Sequence, residues 1–433
     1  MRYRSSLNLS IPRCFGLWVA ALLISAVAWR YAYAVVIHPA TMFVYSDMAA
    51  YADWAIRHFT PGYVPTFYDT VFPPGMLYYL GVLHRVDSGW QLALHAQFLL
   101  GVFTPVLVFV IALDAYGRRT AIVALGISAF YFPHVHYTGL FLAETPFTFL
   151  LALSVLLFLR GARAKGRAVV VAYSAGAGIS GGLAFSFKNA FLASMLFLLA
   201  GYAVFAWRNA SRWRGWVLGS TAAGLLLVLV PLALRCTRLN GRFCPGATNT
   251  SVNVLIGHYG DIGTIRWNDP NGSYMHFGSP TAGLRGYDTQ VNLGWPFNDS
   301  ARNLELAGAW VREHPLDALG LSFGHVAELF VGRTLWPRPP PGQVDWGAVW
   351  QGIFWLVILI PAALFLVRRR RSVLGLHKDS LPELVLCLPL VGLMVTVFFS
   401  LSEVRHRVPF DVLTIVLASA WLAGRVSRVG RGS

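Results

Sequence analysis

The sequence predicts an all-α polytopic membrane protein of about ten transmembrane helices, with short juxtamembrane helices on the outer side and one long hydrophilic loop. Three observations predict it. Of 433 residues, 56% are hydrophobic and 12% charged, a balance that excludes an ordinary soluble domain. Apolar stretches recur from end to end at about the 17–25 residues that cross a bilayer. Lys and Arg gather in the short turns between them, as they do in cytoplasmic loops.

The expected spans are 17–37, 91–113, 120–136, 142–160, 168–186, 189–207, 216–235, 347–367, 382–400 and 408–425. An even number of crossings returns the C-terminus to the side of the N-terminus. One face then holds Arg2, Arg4 and Arg13, the pair Arg118 and Arg119, and the group Arg160, Arg163, Lys165 and Arg167. It also holds Arg208, Arg212 and Arg214, then Arg368 to Arg371 with Lys378, and finally Arg425, Arg428 and Arg431. That is more than half of the 35 basic residues, so both termini are expected to be cytoplasmic. The net charge of +16 therefore reads as topology and attraction to anionic lipid headgroups, with no nucleic-acid partner. The run from Leu17 to Ile37 exceeds a secretory-signal core and is read as a retained span. Lysine is scarce, at Lys165, Lys188 and Lys378 only, a bias of GC-rich bacterial genes; the expected location is a bacterial inner membrane.

Three regions follow. Residues 1–235 form an N-terminal membrane module with a first outer loop at 38–90. Residues 236–346 form a periplasmic loop region, and 347–433 the C-terminal helices. The segment 72–86 is too short for a crossing, and counting it as one would invert every later loop. It is expected to lie as a helix at the outer leaflet, with proline tolerated in its first turn. The four Cys make neither a disulfide framework nor a metal-ligand spacing. Cys236 and Cys244 are close enough to bridge in an oxidising compartment, or to remain two free thiols.

Four groups of charge fall on the expected outer face: Asp47 with Asp53 and Asp69, Glu144, Lys188, and the run Glu403-Val404-Arg405-His406-Arg407 ending at Asp411. Each has a plain structural use. Ser46 or Asp47 can cap a helix at 48–58, and Glu144 suits a helix N-terminus. Lys188 can snorkel to headgroups, and Arg405 and Arg407 can hold lipid phosphates. Taken together, carboxylates and cations at the ends of four elements suit transfer of a group from a lipid-linked phosphate. A carboxylate base takes the proton of an attacking hydroxyl, a contribution of about 10²–10⁴-fold. The departing phosphate needs cations, which Lys188, Arg405 and Arg407 can supply. A glycosidase would instead pair a general acid with a second carboxylate. The alternative is a transporter of lipids or lipid-linked sugars, a class that often shows paired repeats; no clear repeat is visible.

Several segments carry a resemblance. Ser46-Asp47 is followed by Tyr51, then by Phe72-Pro73-Pro74-Gly75-Met76-Leu77-Tyr78. Leu142-Ala143-Glu144-Thr145-Pro146 is a second acidic motif, and Gly181-Gly182-Leu183-Ala184-Phe185-Ser186-Phe187-Lys188 a Gly-rich span with a polar exit. Asn253-Val254-Leu255-Ile256-Gly257-His258 and Arg405-His406-Arg407-Val408-Pro409-Phe410 complete the set. On these residues the chain resembles the GT-C superfamily of polyprenyl-phosphate-sugar-dependent glycosyltransferases. The branch is that of protein O-mannosyltransferases, lipid A aminoarabinose transferases and related bacterial lipopolysaccharide glycosyltransferases.

The resemblance implies a polyprenyl-phosphate sugar as donor and a lipid, glycan or protein as acceptor. It implies Asp47 as catalytic base and Glu144 as supporting carboxylate, with Lys188 and Arg405 or Arg407 on the donor phosphate. Tyr51, Asp53, Asp69 and His258 complete the expected substrate-binding set. If a divalent cation takes part, Asp47 and Glu144 would share it. One departure is Phe72, where aminoarabinose transferases carry Lys before Pro-Pro, which moves phosphate binding elsewhere.

Overall fold

The computed structural model describes residues 12–45, 47–259, 264–268, 274–278, 290–332 and 347–429. Helix α1 (Pro12–Tyr31) runs on through a π turn at Ala32–Ile37 and a short 3-10 turn. The first loop holds α2 (Asp47–His58), a 3-10 turn at Phe67–Thr70 and α3 (Gly75–Val86). Next come α4 (Gln91–Tyr116), α5 (Arg118–Phe130), α6 (Phe132–Thr138), α7 (Glu144–Arg163), α8 (Arg167–Phe187), α9 (Phe191–Arg208) and α10 (Arg214–Asn240). The long loop contains α11 (Asn249–His258), strands β1 (Thr264–Asn268), β2 (Tyr274–Gly278) and β3 (Gln290–Leu293), then α12 (Ser300–Glu313) and α13 (Pro315–Val331). The C-terminal part holds α14 (Gly347–Ile353), a π turn, α15 (Ile360–Leu374), α16 (Leu381–Phe398), the short α17 (Val404–Arg407) and α18 (Asp411–Val429).

Among the described residues, nine helical stretches are long and apolar enough to cross a membrane, so the chain is a multi-pass membrane protein. The expected span at 120–136 is a helix broken in two. Tyr131 turns to an extended backbone (φ −68°, ψ 98°), and Pro133 has no N–H to give the Ala129 carbonyl. The broken helix still returns along α4. A Cβ on Gly101 would lie 2.4 Å from the Thr138 hydroxyl, and Gln97 donates to the Leu140 carbonyl at 2.7 Å. The segment 75–86 is a 12-residue helix, too short to span, as expected.

The break explains a buried cation in α1. The last carbonyls of a helix lack intrahelical donors, and Arg30 supplies them. Its guanidinium donates to Ala129 O at 2.8 Å and Ser128 O at 3.0 Å. Replacing Arg30 by Met strands both carbonyls, while removal of a desolvated cation offsets part of the loss. The expected result is a destabilisation of about 1–3 kcal/mol, read from thermal unfolding in detergent; an unchanged or raised Tm contradicts it.

Helices α8 and α10 approach as closely as backbones allow. A Cβ on Gly178 would sit 2.0 Å from Thr221 O, and one on Gly224 would sit 2.3 Å from Ala175 O. Small residues spaced along a helix permit this contact where lipid offers no hydrophobic drive between helices.

The two ends of the bundle differ. At one end the basic turns meet carboxylates and carbonyls: Arg160 donates to Asp114 at 2.7 Å and Arg369 to Glu383 at 2.9 Å. Asn209 there bonds Leu376 O at 2.8 Å. At the other end the first and long loops form one cap. Thr248 N donates to Thr70 O at 2.7 Å and Asn249 N to Val71 O at 3.1 Å. Val71 shares an apolar core with Leu255, Trp267 and Phe297. The expected boundary at 235/236 therefore falls inside α10, just before the Cys236–Cys244 disulfide that closes the turn into the cap.

The small sheet was not expected from the sequence. Its order is β2-β1-β3, with β1 antiparallel to β2 and parallel to β3. In β1, Ile265 and Trp267 point inward while Arg266 and Asn268 are exposed, the alternation of a half-buried strand. The indoles of Trp267 and Trp295 both donate to Asn303 Oδ1, at 2.9 and 3.0 Å, which pins the sheet to α12. Ser46, a possible cap of the 48–58 helix, lies outside the described residues.

Candidate active site

Under the cap, four chain segments bring their charges to one place. Asp47 opens α2, where the helix dipole favours an acidic side chain. Its Oδ2 accepts from Arg405 Nη1 at 3.1 Å, and both side chains keep solvent contact, at 26% and 19% exposure. Arg405 also pairs through Nε with Glu403, whose extended backbone (φ −146°, ψ 154°) lets both side chains of the Glu403-Val404-Arg405 run meet.

Glu144 opens α7 and is 4% exposed; its Oε1 accepts from Lys188 Nζ at 2.8 Å. Lys188 follows the end of α8, which α3 packs directly. A Cβ on Gly75 would lie 2.6 Å from Ser186 O, so the Pro73-Pro74-Gly75 sequence seats α3 by bare backbone. The Arg405 guanidinium interacts electrostatically with Glu144 as well as with Asp47 and Glu403. The result is a continuous chain of charge, Lys188 to Glu144 to Arg405 to Asp47 and Glu403.

Tyr51, one helical turn beyond Asp47, faces this chain. Burial, with the Asp47 and Glu144 charges beside it, raises its phenol above the ordinary value, so Tyr51 is a hydrogen-bond donor at neutral pH. Met48, Met76, Leu142 and Val404 pack around these groups in one apolar cluster. Such walls strengthen each charge interaction and keep bulk water from most of the site.

Four other expected residues stand elsewhere. Asp53 is 49% exposed and paired with Arg57 at 2.8 Å on the surface of α2. Asp69 is buried and accepts from the Tyr63 hydroxyl at 2.9 Å and from Thr66 N at 2.7 Å, a capping box that shapes the first loop. Arg407 is buried against Asp411 at 3.2 Å, donates to Leu329 O and Gln351, and lies over the Phe354 ring. His258 is buried between α11 and α13, its Nε2 at 3.1 Å from the Ser322 hydroxyl; burial keeps its imidazole below the ordinary value.

Three groups beside the site were given no role from the sequence. Glu403 pairs with Arg405, Tyr137 lies within electrostatic reach of Glu144 and Arg405, and His406 lies within reach of Lys188 and Arg405. Glu403 was legible in principle, two residues from Arg405 in the same charged run. Among the described residues no group of three or more His, Cys, Asp or Glu could hold a metal ion. A divalent cation shared by Asp47 and Glu144 would have to displace Arg405 from one and Lys188 from the other.

Comparison with known proteins agrees with this architecture. Residues 85–239 match the family of dolichyl-phosphate-mannose-protein mannosyltransferases. No curated protein sequence matches the chain significantly. Among solved structures, the oligosaccharyltransferase AglB of Archaeoglobus fulgidus, in complex with an inhibitory peptide and a dolichol-phosphate, superposes with a TM-score of 0.56 at 15% identity. The match covers 96% of this chain and 51% of that one, so this chain spans about half the length of that relative. An oligosaccharyltransferase of Archaeoglobus fulgidus in its apo form gives a TM-score of 0.54 at 14% identity, covering 93% and 50%. ArnT from Cupriavidus metallidurans, bound to undecaprenyl phosphate, gives 0.42 at 15% identity, covering 97% and 79%. At this identity the likeness to the two archaeal structures is one of fold.

Proposed function

We propose that this chain is a glycosyltransferase that moves a sugar from a polyprenyl-phosphate donor to an acceptor hydroxyl on a lipid, glycan or protein. The observation that carries the reading is the Asp47–Arg405 pair, partly open to solvent, joined to a buried Glu144–Lys188 pair. Base and phosphate-binding cations then stand in one apolar-walled site at the membrane. The mannosyltransferase match over residues 85–239 supports the same class. So does the fold shared with an enzyme whose complex holds a dolichol-phosphate.

In this reading the acceptor oxygen attacks the anomeric carbon while its proton passes to Asp47. The new glycosidic C–O bond forms as the bond from anomeric carbon to phosphate oxygen breaks, and the electron pair leaves with the polyprenyl phosphate. Direct displacement inverts the anomeric centre. Arg405 holds the Asp47 carboxylate in place through its Nη1 at 3.1 Å. Lys188 and Arg405 stabilise the charge of the departing phosphate, where fixed cations count most. Glu144 holds Lys188 in place between turnovers.

The same reading puts the site on the extracytoplasmic face of a bacterial inner membrane, with both termini inside. Two independent features support that orientation. The arginine-rich turns lie at the opposite end of the bundle, as they do on cytoplasmic faces. The Cys236–Cys244 disulfide lies at the cap end, and disulfides persist in oxidising compartments.

The test is product formation by the purified chain in nanodiscs. Polyprenyl-phosphate sugars are offered one at a time with a bacterial membrane extract, and mass spectrometry follows new glycosides. A product with inverted anomeric configuration is expected. Movement of a lipid-linked sugar across sealed vesicles with no new glycosidic bond would replace the proposal by transport.

A further inference from the structure

We infer that α13 is seated in the acyl-chain region of the bilayer, with lipid covering one entire face. This rests on the membrane architecture alone and is independent of the chemistry proposed above. Helix α13 is not among the candidate spans, yet its solvent-exposed face is apolar along its length. Leu316, Leu319, Phe323 and Val331 are 81%, 47%, 61% and 51% exposed, and Gly320, Gly324 and Ala327 fill the positions between them. These spacings place all seven on one face of a helix. Asp317, in the first turn, and the half-buried Glu328, three turns on, are the charged residues at its edge.

The stripe is not a misplaced core face, because the opposite side of the helix is already tethered. Ser322 meets His258, and Leu329 O accepts from Arg407 at 3.0 Å. Ala318 and Leu321 pack with Trp310. The helix cannot roll to hide its stripe without breaking those contacts.

What covers the stripe follows from its continuity. Phe323 meets Phe398 edge to face at 5.4 Å, and Phe398 meets Phe399 at 5.0 Å. Phe398 ends the α16 span, and Phe399 is 59% exposed. The apolar surface of α13 is therefore an extension of the surface that α16 presents to lipid. An exposed apolar patch of this length on a water-facing cap would be a liability; in the outer leaflet it is ordinary. The C-terminal end of α13 reaches Gly332, where a Cβ would lie 2.5 Å from the Val404 side chain, next to Arg405.

Labelling the full chain with a small fluorophore tests this. Cys14 and Cys387 are replaced by Ser, and single positions are then changed in vesicles of phosphatidylcholine and phosphatidylglycerol containing acyl-brominated lipid. Phe323→Cys and Leu319→Cys are expected to be quenched as strongly as Leu226→Cys on the exposed face of the α10 span. Arg312→Cys, on the exposed side of α12, is expected to be quenched at least threefold less. Because each labelled position is exposed, loss of folding is not the expected failure. Quenching of Phe323→Cys no stronger than that of Arg312→Cys would overturn the inference. So would its protection from bromine together with oxidative cross-linking of Phe323→Cys between two chains, which would give the stripe to a second copy.

Discussion

Replacing Asp47 by Asn is expected to abolish glycosyl transfer while leaving the fold and donor binding in place. The substitution keeps size and hydrogen bonding but removes proton affinity, and a positioned base contributes about 10²–10⁴-fold. Stability should change little. The Asp47–Arg405 pair is partly solvated, where such contacts contribute about 0–1 kcal/mol, and Arg405 retains Glu403. The loss should therefore appear in kcat, with donor affinity and Tm close to the parent. Donor affinity can be read by displacement of a fluorescent polyprenyl phosphate. If transfer persists at parental rate in Asp47→Asn, the base is another carboxylate of the network, with Glu144 and Glu403 the ones in reach.

The second large effect is on Lys188. Lys188→Met removes the partner of a carboxylate that is 4% exposed. A buried charge left wholly uncompensated costs about 3–5 kcal/mol; Arg405 still interacts with Glu144, so a smaller fall in Tm or in the yield of monodisperse protein is expected. The double variant Glu144→Gln/Lys188→Met removes both charges, and replacing a buried pair by neutral groups is often neutral or stabilising. Its stability should return close to the parent. Its transfer rate should not, because the phosphate has lost a cation. Recovery of both would make the pair a purely structural feature. Recovery of neither would mean that each side chain has contacts beyond the pair, which a double-mutant cycle separates.

Much of this arrangement was legible in the sequence because the membrane makes charge conspicuous. Glu144 and Lys188 stand alone in apolar surroundings, where an ionisable group is costly and usually partnered. The two are in fact each other's partner. Arg405 and Arg407 could not be separated in the same way. They are the same residue type two positions apart in one charged run, and two steps of a helical turn point them to different sides. One side faces Asp47, the other Asp411 and Phe354.

Asp69 and His258 stand apart from this cluster for a related reason. Both look unclaimed in sequence, yet their partners, Tyr63 with Thr66 and Ser322, are supplied by local or distant folding. The broken α5–α6 crossing read as one apolar run because hydropathy averages over Tyr131 and Pro133. Strand β1 went unread inside the long hydrophilic loop, although Ile265 and Trp267 alternate with polar neighbours.

The backbone contact between α8 and α10 has a mechanical consequence. With glycine Cβ positions 2.0–2.3 Å from the facing carbonyls, the two helices have no room to slide or twist past one another, and they behave as a single stiff plank. Lys188 hangs from the tip of that plank and the Cys236–Cys244 bridge clamps the turn that leaves it. Lys188 is thus mounted on the frame, while Asp47 rides on a 12-residue helix held by side-chain packing and by the ion pair to Arg405. Any opening and closing across the site is expected as movement of Asp47 relative to Lys188. Hydrogen exchange should show it as fast amides in α2 against slow ones in α8.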